Sequence, residues 1–280
     1  MIKINKTTVA GNQSIPRKIH QMFICDRQFR SIDDLPAYDE SSMDNICCMR
    51  DAVLSHSIIN PEYDYAFYDK HDIYQYMSNI DCSETQFTHD DVMECYMKIK
   101  SNTLLCDYTR LFLAYYEGGI YLDADMFSRI PFSTFIESTD TWIVYPGHQG
   151  DLNNSVIVCV PGMKLFEIMI VQAIQNIKTH KPNDALASIA GGPVLTSIAT
   201  KMFPELMCEL RHHKTSPWSC GIPTCDHVDI HGYYKTGSHV IKILKNDHFG
   251  GAVQFQYPRY KNDLNTLKST YWKNDINIVV

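Results

Sequence analysis

One continuous stretch, residues 101–125, does most to limit what this chain can fold into. Leu104, Leu105, Tyr108, Leu111, Phe112, Tyr115 and Tyr116 recur at helical spacing, which predicts a helix over 101–117 with a single apolar face. Gly118 and Gly119 follow, and glycine supplies the left-handed backbone on which helices end. Residues 120–125, Ile-Tyr-Leu-Asp-Ala-Asp, then read as a strand. Upstream, 17–24 reads as a strand entered through Pro16, 42–57 as a helix, Asn60-Pro61 as a turn, 63–68 as a strand, and the residues after Asp69 as a short helix. This βαβα rhythm implies a largely parallel sheet. Further on, the pattern predicts a strand over 156–160, a helix over 164–177, a Gly191-Gly192-Pro193 loop, a helix over 194–202 and a strand over 240–244. The last forty residues read as irregular. No linker interrupts the pattern, so the expected organisation is a polar leader over 1–14 and one α/β domain over 15–280.

Composition narrows the function classes. The chain has 280 residues, enough for a sizeable core, and a formal net charge of −7 from 25 Lys+Arg against 32 Asp+Glu. A mildly acidic chain without a basic run is a poor non-specific nucleic-acid binder. It can still hold an anionic ligand when a cation supplies the positive charge. No stretch reaches the ~18 apolar residues of a transmembrane helix. The ten cysteines are scattered, unlike the dense framework of a small secreted domain, which points to the cytoplasm; a Golgi or secretory lumen is the alternative. The sequons at Asn5, Asn12 and Asn153 are weak evidence for secretion, because so short a pattern arises by chance.

Strand formers are rarely acidic, so Asp123 and Asp125 call for a reason. Side chains alternate along a strand, which would put both carboxylates on one side. Like charges so placed resist joint ionisation. Mg²⁺ or Mn²⁺ resolves the conflict, since both prefer hard oxygen ligands and bind through one or two carboxylates plus substrate phosphates. The plainer reading is a solvated turn. Asp107 and Arg110, spaced i, i+3 and off the apolar face, read either as a surface ion pair or as part of the same pocket, with the arginine fork aimed at sugar or phosphate oxygens.

In combination these segments resemble a family. Cys106-Asp-Tyr-Thr-Arg110 followed by Glu117-Gly-Gly-Ile-Tyr-Leu-Asp-Ala-Asp125 resembles the core of glycosyltransferases with the sugar-binding DXD motif. That group includes initiating α-1,6-mannosyltransferases, with the clostridial glucosylating toxins as distant relatives. Ile15-Pro-Arg-Lys-Ile-His-Gln21, Asn60-Pro-Glu-Tyr-Asp-Tyr65, Gly192-Pro193 and the stretch 241–249 match further family segments in order.

The resemblance implies a GT-A type, Rossmann-like fold with a nucleotide sugar at the carboxyl ends of its strands. It implies a retaining, metal-dependent hexosyltransferase acting on a UDP-hexose or GDP-mannose donor and a hydroxyl of a glycan, protein or lipid. Asp125 would coordinate Mn²⁺ or Mg²⁺. Asp123 would bind metal, sugar or ribose, and Asp107 and Arg110 the hexose. Asn154, beside Asn153, would face the acceptor. Ile19, His20, Gln21 and Phe23 would lie near the base, with Gly119, Tyr121 and Trp272 also in the donor site. For His20 a core position is the competing reading. A nucleotide-sugar hydrolase on the same fold, or a degenerate carbohydrate- or nucleotide-binding member, are the alternative functions.

Two features depart from the family pattern or fall outside it. The family's C-terminal His before a Ser-Trp pair is missing or displaced to His248; Trp272 is the candidate for the tryptophan, with Lys268 or Tyr271 supplying polar contacts. Cys208, His212, His213, Cys220, Cys225, His227 and His231 crowd one stretch. They read as separate residues of an insertion, with a structural zinc or a Cys220–Cys225 disulfide as alternatives.

Overall fold

A computed structural model describes residues 1–4, 14–38, 46, 48–144, 152–180, 187–207, 230–244, 253–254 and 257–269. Its centre is an eight-stranded sheet in the order β1-β3-β2-β4-β7-β6-β9-β8. The strands are β1 (Ile2–Ile4), β2 (Lys18–Met22), β3 (Asp64–Tyr68), β4 (Gly119–Asp123), β6 (Trp142–Val144), β7 (Val156–Cys159), β8 (Ile230–Thr236) and β9 (His239–Leu244). A two-stranded ribbon, β5 (Phe127–Ser128) with β10 (Val253–Gln254), stands apart from it. Strands β3, β2, β4, β6 and β9 run in one direction, and β1, β7 and β8 oppose them. The sheet is therefore mixed, with parallel order at its core.

Period-two alternation sends successive strand residues to two separate cores. Ile120, Leu122, Val156 and Val158 face one core, shared with helix α1 (Met49–Ile59) and the C-terminal helix. Tyr121, Ile157 and Cys159 face the other. That second face is covered by α2 (Lys70–Ser78), α3 (His89–Lys98), α4 (Asn102–Phe112), α5 (Lys164–Lys178), α6 (Ala187–Ala190) and α7 (Gly192–Met202). Local signals fix the helix starts. Asp69 makes a capping box with Asp72, Thr88 caps α3, and Ser101 caps α4.

The predicted helix over 101–117 is present, but its last turn, Leu113–Glu117, is a π-helix closed by Gly118 N donating to the Leu113 carbonyl at 3.0 Å. Some expectations need correction. The helix expected over 42–57 runs Met49–Ile59 among the described residues. Helix α7 begins at Gly192 itself, because Pro193 fits a first turn where no N–H partner is needed. Ile2–Ile4, inside the expected leader, adds an antiparallel edge strand against β3. The C-terminal region contains β10 and helix α8 (Tyr260–Thr266). Single-sequence periodicity missed α3, β6 and β8, two of which are strands whose pattern is set by pairing.

Candidate active site

Strand β4 delivers Tyr121 and Asp123 to the face that α4 covers, and α4 brings Asp107 and Arg110 to the same place. Arg110 Nη2 lies 2.9 Å from Asp107 Oδ1 and 3.0 Å from Asp123 Oδ1. Its Nη1 donates to the Asn154 carbonyl at 2.8 Å and its Nε to the Cys106 carbonyl at 3.3 Å. The guanidinium also sits over the Tyr121 ring, 5.0 Å from its centroid. Tyr121 donates its hydroxyl to Asp123 Oδ1 at 2.9 Å, and Asn154 Nδ2 donates to Asp107 Oδ1 at 3.2 Å.

Accessibility rises along this chain of contacts. The Arg110 side chain is 4% exposed, Asp107 13% and Asp123 30%. Of the two readings of Asp107 and Arg110, the surface ion pair does not hold: the pair is buried, and the arginine's donors are largely spent inside the protein. Arg110 ties the carboxylates together from inside, and Asp107 and Asp123 are the more exposed members of the cluster.

Charge here is costly. Burial, with Asp107 adding repulsion and Arg110 opposing, lifts the Asp123 carboxyl to about 6. Burial and the neighbouring Asp123 lift Asp125 to about 7. Burial also raises Asp107 against the pull of Arg110. Although burial disfavours its charge, Asp123 and Asp107 hold Arg110 firmly protonated. Two carboxylates raised in this way are starved of positive charge, which is the condition a divalent cation relieves.

The strand ends at Asp123, and Asp125 lies in the turn that follows. Met126 N donates to the Asp123 carbonyl at 3.1 Å, closing it. The two acids are therefore related by a turn rather than by strand alternation. The carbonyls of Asp123, Asp125 and Met126 accept from the protein, so the carboxylates are the main oxygen ligands the turn offers a cation. Tyr121 and Arg110 both contact Asp123 at Oδ1. Among the described residues no group of three or more His, Cys, Asp or Glu could hold a metal by itself. The donor set fits a hard ion carried by two carboxylates together with substrate oxygens.

Other predicted residues lie elsewhere. Gly119 is at the amino end of β4, opposite the acids. Its φ is +81°, and a Cβ there would meet the Lys18 carbonyl at 2.6 Å, so backbone packing, not a cofactor, requires glycine. Gly118 is constrained likewise, with φ +61° and the Pro161 nitrogen 2.6 Å from an added Cβ. Ile19 is fully buried in the α1-side core. His20 bonds the Tyr68 hydroxyl through Nδ1 at 3.0 Å and borders a cavity of about 600 Å³ with Lys18, Tyr76 and Glu117. Burial pushes its imidazole down to about 4; it is a core histidine. Phe23, just past β2, packs on Phe29 with centroids 6.4 Å apart.

Gln21 is completely buried. Its Nε2 donates to the carbonyls of Asp123 at 2.9 Å and Met126 at 3.2 Å, and its Oε1 accepts from Tyr65 at 2.6 Å. It grips the acidic turn from behind instead of reaching a base. Sequence reasoning missed His56, whose Nε2 also bonds the Met126 carbonyl at 3.1 Å. The available signal was its place at i+7 in the apolar stripe Met49, Ala52, Val53, His56, all buried.

Ahead of β7, Asn153 Oδ1 accepts from Ser155 N at 2.8 Å, shaping the turn that carries Asn154. The start of α7 packs against it: a Cβ on Gly192 would meet the Leu152 carbonyl at 2.6 Å. Trp272, Tyr271, His248 and the side chains of the Cys/His cluster from Cys208 to His231 lie outside the described residues. Lys268, described at the end of α8, is exposed.

Residues 48–143 match the family described as glycosyltransferase sugar-binding region containing DXD motif. No curated protein matched the chain. A solved structure named PaToxG Glycosyltransferase superposes with a TM-score of 0.51 at 17% identity, covering 71% of this chain and 73% of that one. That likeness is one of fold, in keeping with a GT-A arrangement. Residues 48–143 are thus similar to the DXD-containing sugar-binding region of glycosyltransferases, and they sit within a fold like that of a solved glycosyltransferase.

Proposed function

We propose that this single domain, 15–280, is a metal-dependent, retaining hexosyltransferase that moves a sugar from UDP-hexose or GDP-mannose to a hydroxyl of a glycan, protein or lipid. The observation that carries the reading is the buried guanidinium of Arg110 tying Asp107, Asp123 and the Asn154 backbone into one constellation beside Asp125. Asp125 and Asp123 would hold Mn²⁺ or Mg²⁺. A bound divalent ion supplies Lewis-acid stabilisation for charge on a departing diphosphate.

The protein's own groups do the rest. The exposed edges of Asp107 and Asp123 accept hydrogen bonds from donor-sugar hydroxyls, fixing the ring against the leaving group. Arg110 orients both acids and favours their ionised form, and it is their carboxylates, not the guanidinium, that face the positive character developing on the sugar. Tyr121 locks Asp123 in one rotamer through its hydroxyl. Asn154, held by Arg110 and Asp107, marks the side on which an acceptor hydroxyl enters. Breakage of the anomeric C–O bond leaves its electron pair on the diphosphate; in a front-side course the acceptor oxygen bonds the anomeric carbon on that same face and gives its proton to the departing phosphate, so no protein nucleophile is needed. Among the described residues no helix is long and apolar enough to cross a membrane.

The test is donor turnover with Mn²⁺, using UDP-glucose, UDP-galactose and GDP-mannose, with and without hydroxyl acceptors. Transfer that requires acceptor and disappears in Asp125→Ala is expected. Cleavage indifferent to acceptor would make the protein a hydrolase, and binding without turnover would make it a binding module.

A further inference from the structure

The acidic turn is held from behind by a buried polar clamp, and every carbonyl from Asp123 to Met126 that could move the carboxylates has a donor on it, apart from Ala124. Gln21 Nε2 bridges the Asp123 and Met126 carbonyls. His56 Nε2 takes the Met126 carbonyl as well, at 3.1 Å. Tyr257 N donates to the Asp125 carbonyl at 3.3 Å from the C-terminal segment.

The clamp is itself fixed. A carbonyl only accepts, so His56 carries its proton on Nε2, and Nδ1 accepts from the Ser128 hydroxyl at 2.7 Å. Ser128 in turn accepts from Asn60 Nδ2 at 3.2 Å. The His56 ring lies parallel to Tyr65, with centroids 5.7 Å apart, and Tyr65 donates to Gln21 at 2.6 Å. Gln21 and His56 have no exposed surface, so neither reaches a ligand directly.

We infer that Gln21 and His56 are positioning residues for the cation: by fixing the Met126 carbonyl they set the spacing of the Asp123 and Asp125 carboxylates before the ion arrives. The inference rests on the proposed metal-binding role of that pair. The physical reason is preorganisation. Asp125 stands in a short turn, where a released carbonyl lets the backbone rotate and carries the carboxylate away; restoring it on binding then costs affinity. Groups one shell behind metal ligands act in this way.

The experiment measures Mn²⁺ dissociation constants by electron paramagnetic resonance of free Mn²⁺, with thermal unfolding beside it, on the full chain. Gln21→Met and His56→Phe keep volume and stacking but remove the donors, and each should weaken Mn²⁺ about tenfold. His56→Gln restores a donor near the Nε2 position and should stay within about threefold of wild type, since the carbonyl contact is retained. Met77→Ala, in the opposite core, should lower the melting temperature with affinity unchanged. If His56→Phe fails to fold, Gln21→Met and Ser128→Ala carry the test. Wild-type affinity in Gln21→Met and in His56→Phe or Ser128→Ala would overturn the clamp while leaving the metal site standing. Unchanged Mn²⁺ binding in Asp125→Asn, or none in wild type, would overturn both.

Discussion

Arg110 is buried with two carboxylates on one nitrogen, and such a residue cannot be removed without leaving charge uncompensated. Arg110→Ala should therefore destabilise the fold by about 3–5 kcal/mol. Arg110→Lys keeps the charge but loses the fork that reaches Asp107, Asp123 and Asn154 together, and should cut turnover about 100-fold. Chemical denaturation and steady-state rates check the two. Asp125 behaves oppositely. Its folded pKa, about 7, lies above the unfolded 3.8. The stabilisation it contributes is complete below pH 3.8 and is lost as pH rises through 7. Metal-free Asp125→Asn should thus melt higher than wild type at pH 8, by roughly 2–4 °C for each kcal/mol relieved. Mn²⁺ affinity of the wild type should climb between pH 5.5 and 8, as titration calorimetry across that range would show.

At the scale of elements, the site depends on how segments distant in sequence are tied together. The C-terminal helix α8 offers Asp263, fully buried, which accepts from Met49 N at 2.9 Å and from the Tyr38 hydroxyl at 3.0 Å. The α1 N-cap, Cys48, makes no side-chain cap bond, so Asp263 caps α1 from across the molecule. Asp263→Ala should cost about 1–2 kcal/mol, the loss of a helix cap, measured by urea unfolding. Strand β4 carries its own constraint at its amino end. Gly119→Ala forces a side chain into positive φ against the Lys18 carbonyl, for about 1–3 kcal/mol, and should lower stability before it lowers donor binding. The π-helical turn between α4 and β4 sets the phase between Arg110 and Asp123; such turns gather at functional sites.

At the scale of the whole molecule, two buried histidines and the acidic pair pull the pH profile in opposite directions. His20 and His56 are both held near 4 by burial, below their unfolded 6.5. Their contribution is present above pH 6.5 and lost as pH falls through 4, of order 3 kcal/mol each. In urea titrations from pH 4 to 7, His56→Gln should flatten the acid limb and Asp125→Asn steepen it; parallel slopes in both variants would refute the assignment. What the residues alone determined were the segments whose information is local: the apolar stripe of α4, the Gly118-Gly119 stop, the βα alternation and the Asp-x-Asp doublet. These follow from periodicity and backbone chemistry, which neighbours in sequence specify. Only the tertiary structure decided that Arg110 is buried between two carboxylates, that Gln21 and His56 bond the backbone of the acidic turn, and that Gly119 serves packing. Burial, pairing partners and the side of the sheet a residue meets depend on segments tens to hundreds of positions away, and no local pattern encodes them.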